Sequence, residues 1–355
     1  MAYIYNSGFD SERNNDLEIL VNSSLNRLNP LSPISIKFST ISNNNITNTS
    51  NNYNSNQINP INNFITLQNS HCFLPKNGAE NFSFFKKPRN FSCDSPSIYL
   101  GGRNEKNEKE GFGIRKWKSG ERFVGIFKGG KAEGWGIFDD GRGDVFKGMF
   151  EDDLTKGFGI FYHYSGVTYT GFFLNNVQVG VGYENWEDKS AYRGEYKNGK
   201  KEGIGTYFWR DGASYKGEWR GNNMEGYGMY MFADGREYVG EWRNNQMDGY
   251  GEYTLDKEGK KYYGFFKRDK KDGFGVYFVN NKKCFVGYWK FGKQNGLGKY
   301  INENKVKYGI WNNGKRNRWF YTEEEFIKYA YYNERINVSF MLKSLEETKD
   351  YFQYK

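Results

Sequence analysis

The chain has 355 residues, 19% of them Tyr, Phe or Trp and 44 of them Gly, against only 6 Pro, with a formal net charge of +9. Aromatics plus glycine in a chain poor in Leu and Ala point to many short strands and tight turns, and argue against ordinary globular domains. Three cysteines without a CxxC pair and only two histidines exclude a disulfide framework, a zinc site and histidine-based catalysis, and place the chain in a reducing cytoplasm.

The chain opens on "MAYIYNSGFDSERNND", which is not a signal peptide, and Ala2 stands where N-myristoylation requires Gly. No apolar run approaches the ~20 residues that span a bilayer. Residues 1–95 differ in kind from the rest. Between Ile41 and Phe64, 11 of 24 residues are Asn. Such a tract buries too little surface to offset its ordering entropy, so residues 1–95 are expected to be mostly disordered. One piece stands apart: "FLPKNGAENFSFFKKPRNF", residues 73–91, carries five Phe among basic residues and is suited to docking.

From residue 96 to 318 the chain repeats. A Gly-x-Gly with an apolar middle residue occurs at 111, 134, 157, 180, 203, 226, 249, 273 and 296, an interval of 23 with one single-residue insertion before 273. Each copy but the first is preceded by an aromatic-x-Gly-x-aromatic run such as "YKGEW" at 215 or "YVGEW" at 238. A fixed period of this length marks an array of supersecondary units. "NGK" after the first run and "DG" after the second supply the positive-φ residues of tight hairpins. Strand alternation puts Tyr215, Gly217 and Trp219 on one face, and Gly226, Gly228, Tyr230 and Phe232 likewise. A ring lying across the hole left by a glycine covers bare backbone. Such ring-on-glycine stacking is expected to be the core of a single-layer sheet. The fourth position after each first Gly is aromatic except at Arg115 and Glu184.

The opposite face carries the middle residue of every Gly-x-Gly: Phe112, Trp135, Phe158, Val181, Ile204, Tyr227, Tyr250, Phe274 and Leu297. On the first strands this face is charged in the central copies (Arg193, Glu195, Lys216, Glu218). It is apolar in the outer ones (Val124, Ile126, Phe172, Tyr263, Phe265, Val286, Tyr288, Tyr308, Ile310). Exposed apolar stripes of that size meet something. Phe112, Trp135, Phe158, Ile204, Tyr227, Tyr250 and Phe274 are therefore the candidate partner-binding residues. The C-terminal segment is expected to cover this face over roughly 262–311, and segment 73–91 or a partner to cover it near 112–172.

Residues 319–355 read as a helical cap. Thr322 and Glu325 stand at capping-box spacing, and Phe326, Tyr329 and Ala330, then Val338, Met341, Leu342 and Leu345, fall at helical spacing.

"GEYKNGKK" at 194 mimics GxxxxGK of a phosphate-binding loop, but Lys201 replaces the Ser or Thr that holds magnesium, and similar spacing recurs at 125, 287 and 309. No nucleophile elbow, HExxH or EF-hand loop occurs, so no catalytic residue, metal site or cofactor is implied. Turn residues Lys131, Lys200, Lys201, Lys293, Lys315 and Arg316 recur at one position of the unit and are candidates for meeting anionic lipid along one edge. Basic and acidic residues interleave, which argues against nucleic acid.

Units such as "YRGEYKNGKKEGIGTYFWRDGAS" and "YKGEWRGNNMEGYGMYMFADGRE" resemble the MORN repeat, and the resemblance covers about 220 residues. It implies an all-β fold: an elongated single-layer antiparallel sheet of consecutive hairpins. Because such arrays serve many roles, it constrains function less. It suggests a non-catalytic scaffold with protein partners in a cytoskeletal, axonemal or membrane-skeleton assembly, hence at the cytoskeleton, the cilium or the inner membrane periphery. A peripheral tether on phosphoinositide or phosphatidic acid, or a regulatory subunit positioning a separate enzyme, are the alternatives. Homodimerisation is left open.

Overall fold

The computed structural model describes residues 96–303, 305–334 and 338–342. The expected disorder of residues 1–95, the docking segment 73–91 and the helical position Leu345 lie outside the described residues. The described chain forms one antiparallel sheet of twenty strands, from β1 (Ser97–Arg103) and β2 (Lys109–Trp117) to β19 (Lys305–Asn312) and β20 (Lys315–Trp319). Strand pairing is confined to sequence neighbours, as in β9 (Ala191–Lys197), β10 (Lys200–Phe208), β11 (Ser214–Arg220) and β12 (Asn223–Met231). At ~4.8 Å per strand the contour is about 90 Å. The array is two strands longer than the nine Gly-x-Gly copies suggest. "YLGGR" joins as β1, and "KRNRW" after the last copy as β20.

Register explains the glycines. Gly205, Gly217, Gly228 and Gly240 are directly paired, and the same row runs one glycine per strand from Gly101 to Gly309. The Tyr215 ring lies across Gly217 and Gly228, and a methyl added to Gly217 would lie 2.6 Å from both the Gly228 Cα and the Tyr215 hydroxyl. The row uses the second glycine of each Gly-x-Gly. The first does different work: Gly226, with φ of +65°, sits in a bulge where three residues between Gly228 and Met224 oppose the single residue between Gly217 and Trp219.

On this first face the rings form an edge-to-face chain. Trp219 meets Tyr192 and Tyr215, Tyr215 meets Trp242, and Trp242 meets Tyr238, at centroid separations of 5.2–5.3 Å. Similar contacts run from Tyr99–Phe127 to Trp311–Trp319. Each pair adds about 0.5–1.5 kcal/mol beyond the area it buries. The covering tyrosines also donate hydroxyl hydrogen bonds into the bulge: Tyr215 to the Glu218 carbonyl and Tyr238 to the Glu241 carbonyl, both at 3.0 Å.

Neighbouring hairpins are stitched together at their two-residue turns. The Asn222 side chain accepts from Lys201 N–H at 2.7 Å while Asn222 N–H donates to the Lys201 carbonyl. Asn245 does the same for Met224, and Asp153 for Ala132. At six of the nine Gly-x-Gly copies the preceding residue is an acid that caps the next turn, as Glu202 accepts from Gly221 N–H and Glu225 from Asn244 N–H.

Gly217→Ala is expected to cost about 2–3 kcal/mol, because the methyl meets backbone and a locked ring. Tyr215→Phe, which keeps the ring and loses one hydrogen bond, should cost about 1 kcal/mol. Thermal denaturation of both variants measures the difference, and equal losses would contradict ring-on-glycine packing.

Candidate interaction surface

The second face divides into three zones. From β1 to β8 (Val177–Asn185) it is apolar and open. Ile98, Leu100, Phe112, Ile126, Trp135 and Phe172 are exposed, Phe112 by 68%. The strand register makes these a row: Phe112 pairs with Ile126, Trp135 with Met149, and Phe158 with Phe172. Phe158 and Val181 are half-buried.

The central zone is charged, and its carboxylates have local work. Glu195, Glu218 and Glu241 accept the N–H groups of Ile204, Tyr227 and Tyr250 at 2.9–3.2 Å, closing the bulge on that side. Ile204 and Tyr227 remain exposed while Tyr250 is half-buried.

The last zone is covered. Thr322 caps helix α1 (Glu323–Tyr329), its side chain accepting from Glu325 N–H at 3.1 Å, and three acids occupy the first turn. A π-helical turn, Ala330–Glu334, and a short 3₁₀ turn, Ser339–Leu342, follow. Phe326, Ala330, Val338 and Met341 pack onto Val276, Val286, Leu297 and Ile301. Phe326 stacks on Tyr308 at 4.8 Å. Burial with hydrogen bonding to Glu323 pushes the Tyr308 phenol well above its usual pKa. Leu297, equivalent to the open Phe112, is fully buried, and Phe274 is half-buried.

The basic turn residues do not act as one row. Lys131 is ion-paired to Asp152 at 3.0 Å, and Leu154 and Val177 take the next two equivalent positions. Lys200, Lys315 and Arg316 are exposed, Lys293 is half-buried, and the Arg316 guanidinium lies 4.5 Å from the Trp319 ring centre. Lys201 is corrected outright. Adjacent residues on a strand face opposite ways, so Lys201 turns onto the first face and is buried at 6% exposure. Its ammonium lies 3.3 Å from Glu184 and 4.8 Å from the centre of the Trp186 ring. Tyr196 donates to the same Glu184 carboxylate at 2.8 Å. Glu184, an exception to the aromatic pattern, is thus one half of a buried ion pair. The equivalent Lys271 lies among Tyr262, Tyr277 and Trp289, 4.5–4.9 Å from their ring centres. Burial alone pulls its pKa down to about 8.

The family model of the MORN repeat matches residues 105–122, 192–214, 215–235, 238–259, 262–283 and 285–305. The chain is a MORN-repeat protein. Between the first two matches, residues 123–191 fold in the same MORN register, with Phe123 and Phe146 replacing the covering tyrosine and Asp152–Asp153 and Asn175–Asn176 forming the turns. No curated protein matches the chain. Among solved structures, the TCP domain of Drosophila melanogaster SAS-4 (dCPAP), in complex with a proline-rich motif of Ana2 (dSTIL), is 12% identical, covering 49% of this chain and 90% of its own, with a TM-score of 0.30. The TCP10 domain of Danio rerio CPAP is 10% identical, covering 59% and 99%, with a TM-score of 0.33. Catalytically inactive Staphylococcus aureus virginiamycin B lyase with quinupristin is 9% identical, covering 65% and 90%, with a TM-score of 0.14. TM-scores this far below 0.5 carry no argument about function. Among the described residues, no helix is long and apolar enough to cross a membrane.

Two measurements probe the buried charges of the MORN array. Lys201→Met alone strands the Glu184 carboxylate and should cost about 3–5 kcal/mol. Adding Glu184→Tyr, which installs the residue types of the neighbouring units, should restore most of it in a double-mutant cycle. For Lys271 the folded pKa lies below the unfolded value of 10.5. The unfolded chain therefore binds more protons between about pH 8 and 10.5, and this residue's contribution to stability rises with pH across that window. Tyr262 and Tyr277, held above their usual value by burial, act oppositely once unfolded phenols ionise near pH 10. Denaturant titration from pH 7.5 to 9.5 should show a rise that Lys271→Met abolishes.

Proposed function

We propose that the protein is a non-catalytic scaffold whose MORN array docks protein partners on the open apolar zone of its second face. One observation carries this reading. The same face, built from equivalent positions, is sealed by α1 at one end and bare at the other. Eight strands of bare face span about 38 Å, enough for an extended or helical partner segment. Aromatic side chains such as Phe112 and Trp135 are the residue types that concentrate binding energy in interfaces. A cytoskeletal, axonemal or membrane-skeleton setting follows from resemblance to other MORN-repeat proteins. The single-layer sheet favours a holding role over catalysis, since its first face is packed mainly with aromatic rings.

The tether alternative keeps Lys200, Lys315 and Arg316 as exposed cations and Lys293 as a half-buried one, and loses Lys201 to the core. Its electrostatics would be worth ~1 kcal/mol per residue close to an anionic surface.

Cross-linked capture from the native cell is expected to recover partners with the intact chain. Phe112→Glu with Trp135→Glu should weaken recovery at least tenfold without changing the circular dichroism spectrum. Flotation with vesicles containing phosphatidic acid at physiological salt separates the readings. Binding lost in Lys200→Glu/Lys293→Glu/Lys315→Glu, with partner capture unaffected by the apolar substitutions, would replace the scaffold by the tether.

A further inference from the structure

The two ends of the second face invite direct comparison. At the C-terminal end, apolar positions on β16 (Lys270–Asn280), β17 (Lys283–Lys290), β18 (Lys293–Asn302) and β19 are buried under the chain that leaves the sheet. Phe320 and Phe326 deliver the rings that do it, within seven residues of the last strand. At the N-terminal end the equivalent strip, from Leu100 and Phe112 to Phe172, is bare among the described residues. The chain that enters the sheet there is 96 residues long before β1. Immediately upstream it carries Phe73, Phe82, Phe84, Phe85 and Phe91.

We propose that residues 73–91 fold back onto the second face of β1–β8 and bury the Phe112–Trp135–Phe158 row, as α1 buries its counterpart. This rests on the reading of that row as the docking surface, and it adds a regulator: the chain's own segment is the first occupant, which a protein partner must displace. The reach is adequate. Phe91 is six residues from Ser97, at most about 20 Å of extended chain, and Phe82 is fifteen, at most about 50 Å, against a strip about 38 Å wide. Pro88 and Pro96 disfavour continuation of the sheet by this stretch, so it is suited to lie on the face rather than add to the edge. Its Lys76, Lys86, Lys87 and Arg89 keep the outward side of such a cover solvated.

The full chain with a benzophenone side chain at position 135 tests this. Irradiation of the purified protein is expected to give a cross-link within one molecule to residues 73–91, read by mass spectrometry. Phe82→Ser/Phe84→Ser/Phe85→Ser should abolish that cross-link, raise binding of an apolar fluorescent dye several-fold and strengthen partner capture several-fold. These substitutions lie upstream of β1 and touch none of the described strand residues. A cross-link between two copies, a cross-link that avoids 73–91, or dye binding unchanged in the triple variant would each overturn the proposal. Partners captured equally by both proteins would overturn the competition while leaving the docking reading standing. An intramolecular cross-link with no partner captured by either protein would do the reverse.

Discussion

A ring lying over two paired glycines is the contact on which this molecule depends. A single sheet has no second layer to shield its backbone, so shielding has to come from its own side chains. Glycine at the centre of each strand from β1 to β19 lets a Tyr or Phe lie down across two strands at once. The Trp or Phe two residues beyond the glycine then stands edge-on against its neighbours. Burial that a globule gets from packing two layers is obtained here within one. The tyrosine hydroxyl extends the device, because it satisfies a carbonyl that the bulge frees.

Much of this was legible. The 23-residue period, the face assignment of Tyr215, Gly217 and Trp219, the positive-φ turns and the Thr322 cap all follow from local pattern, and all depend on residues close together in sequence. What could not be read depends on pairs about 20 residues apart. Glu202 looks like a solvated charge until the turn of the next unit is placed beside it. Lys201 looks like Lys200's twin until alternation sends it inward to Glu184. The two glycines of Gly-x-Gly look equivalent, and only the register shows one beneath a ring and the other in a bulge. A pattern of Glu preceding Gly-x-Gly at successive copies was a visible signal for the first of these.

The candidate surface was legible in kind but not in state. Sequence placed an apolar residue at the centre of every Gly-x-Gly, and the structure sorts those positions into bare, carboxylate-braced and helix-covered. That sorting arises from neighbours: Glu195, Glu218 and Glu241 brace the middle, and Phe326 with Met341 seals the end. The buried Glu184–Lys201 pair sits near the border between the first two states, a polar joint in a mostly aromatic row.

Because every strand pairs only with the strands before and after it, each hairpin can close as soon as it is synthesised. Loop closure over so few residues is fast and entropically cheap compared with the pairing of distant segments. The sheet can therefore grow vectorially as the chain leaves the ribosome, never waiting for a distant partner. The segment that shields the last apolar strands is translated straight after them, so that stretch of greasy surface is left bare for only the time needed to add some twenty more amino acids.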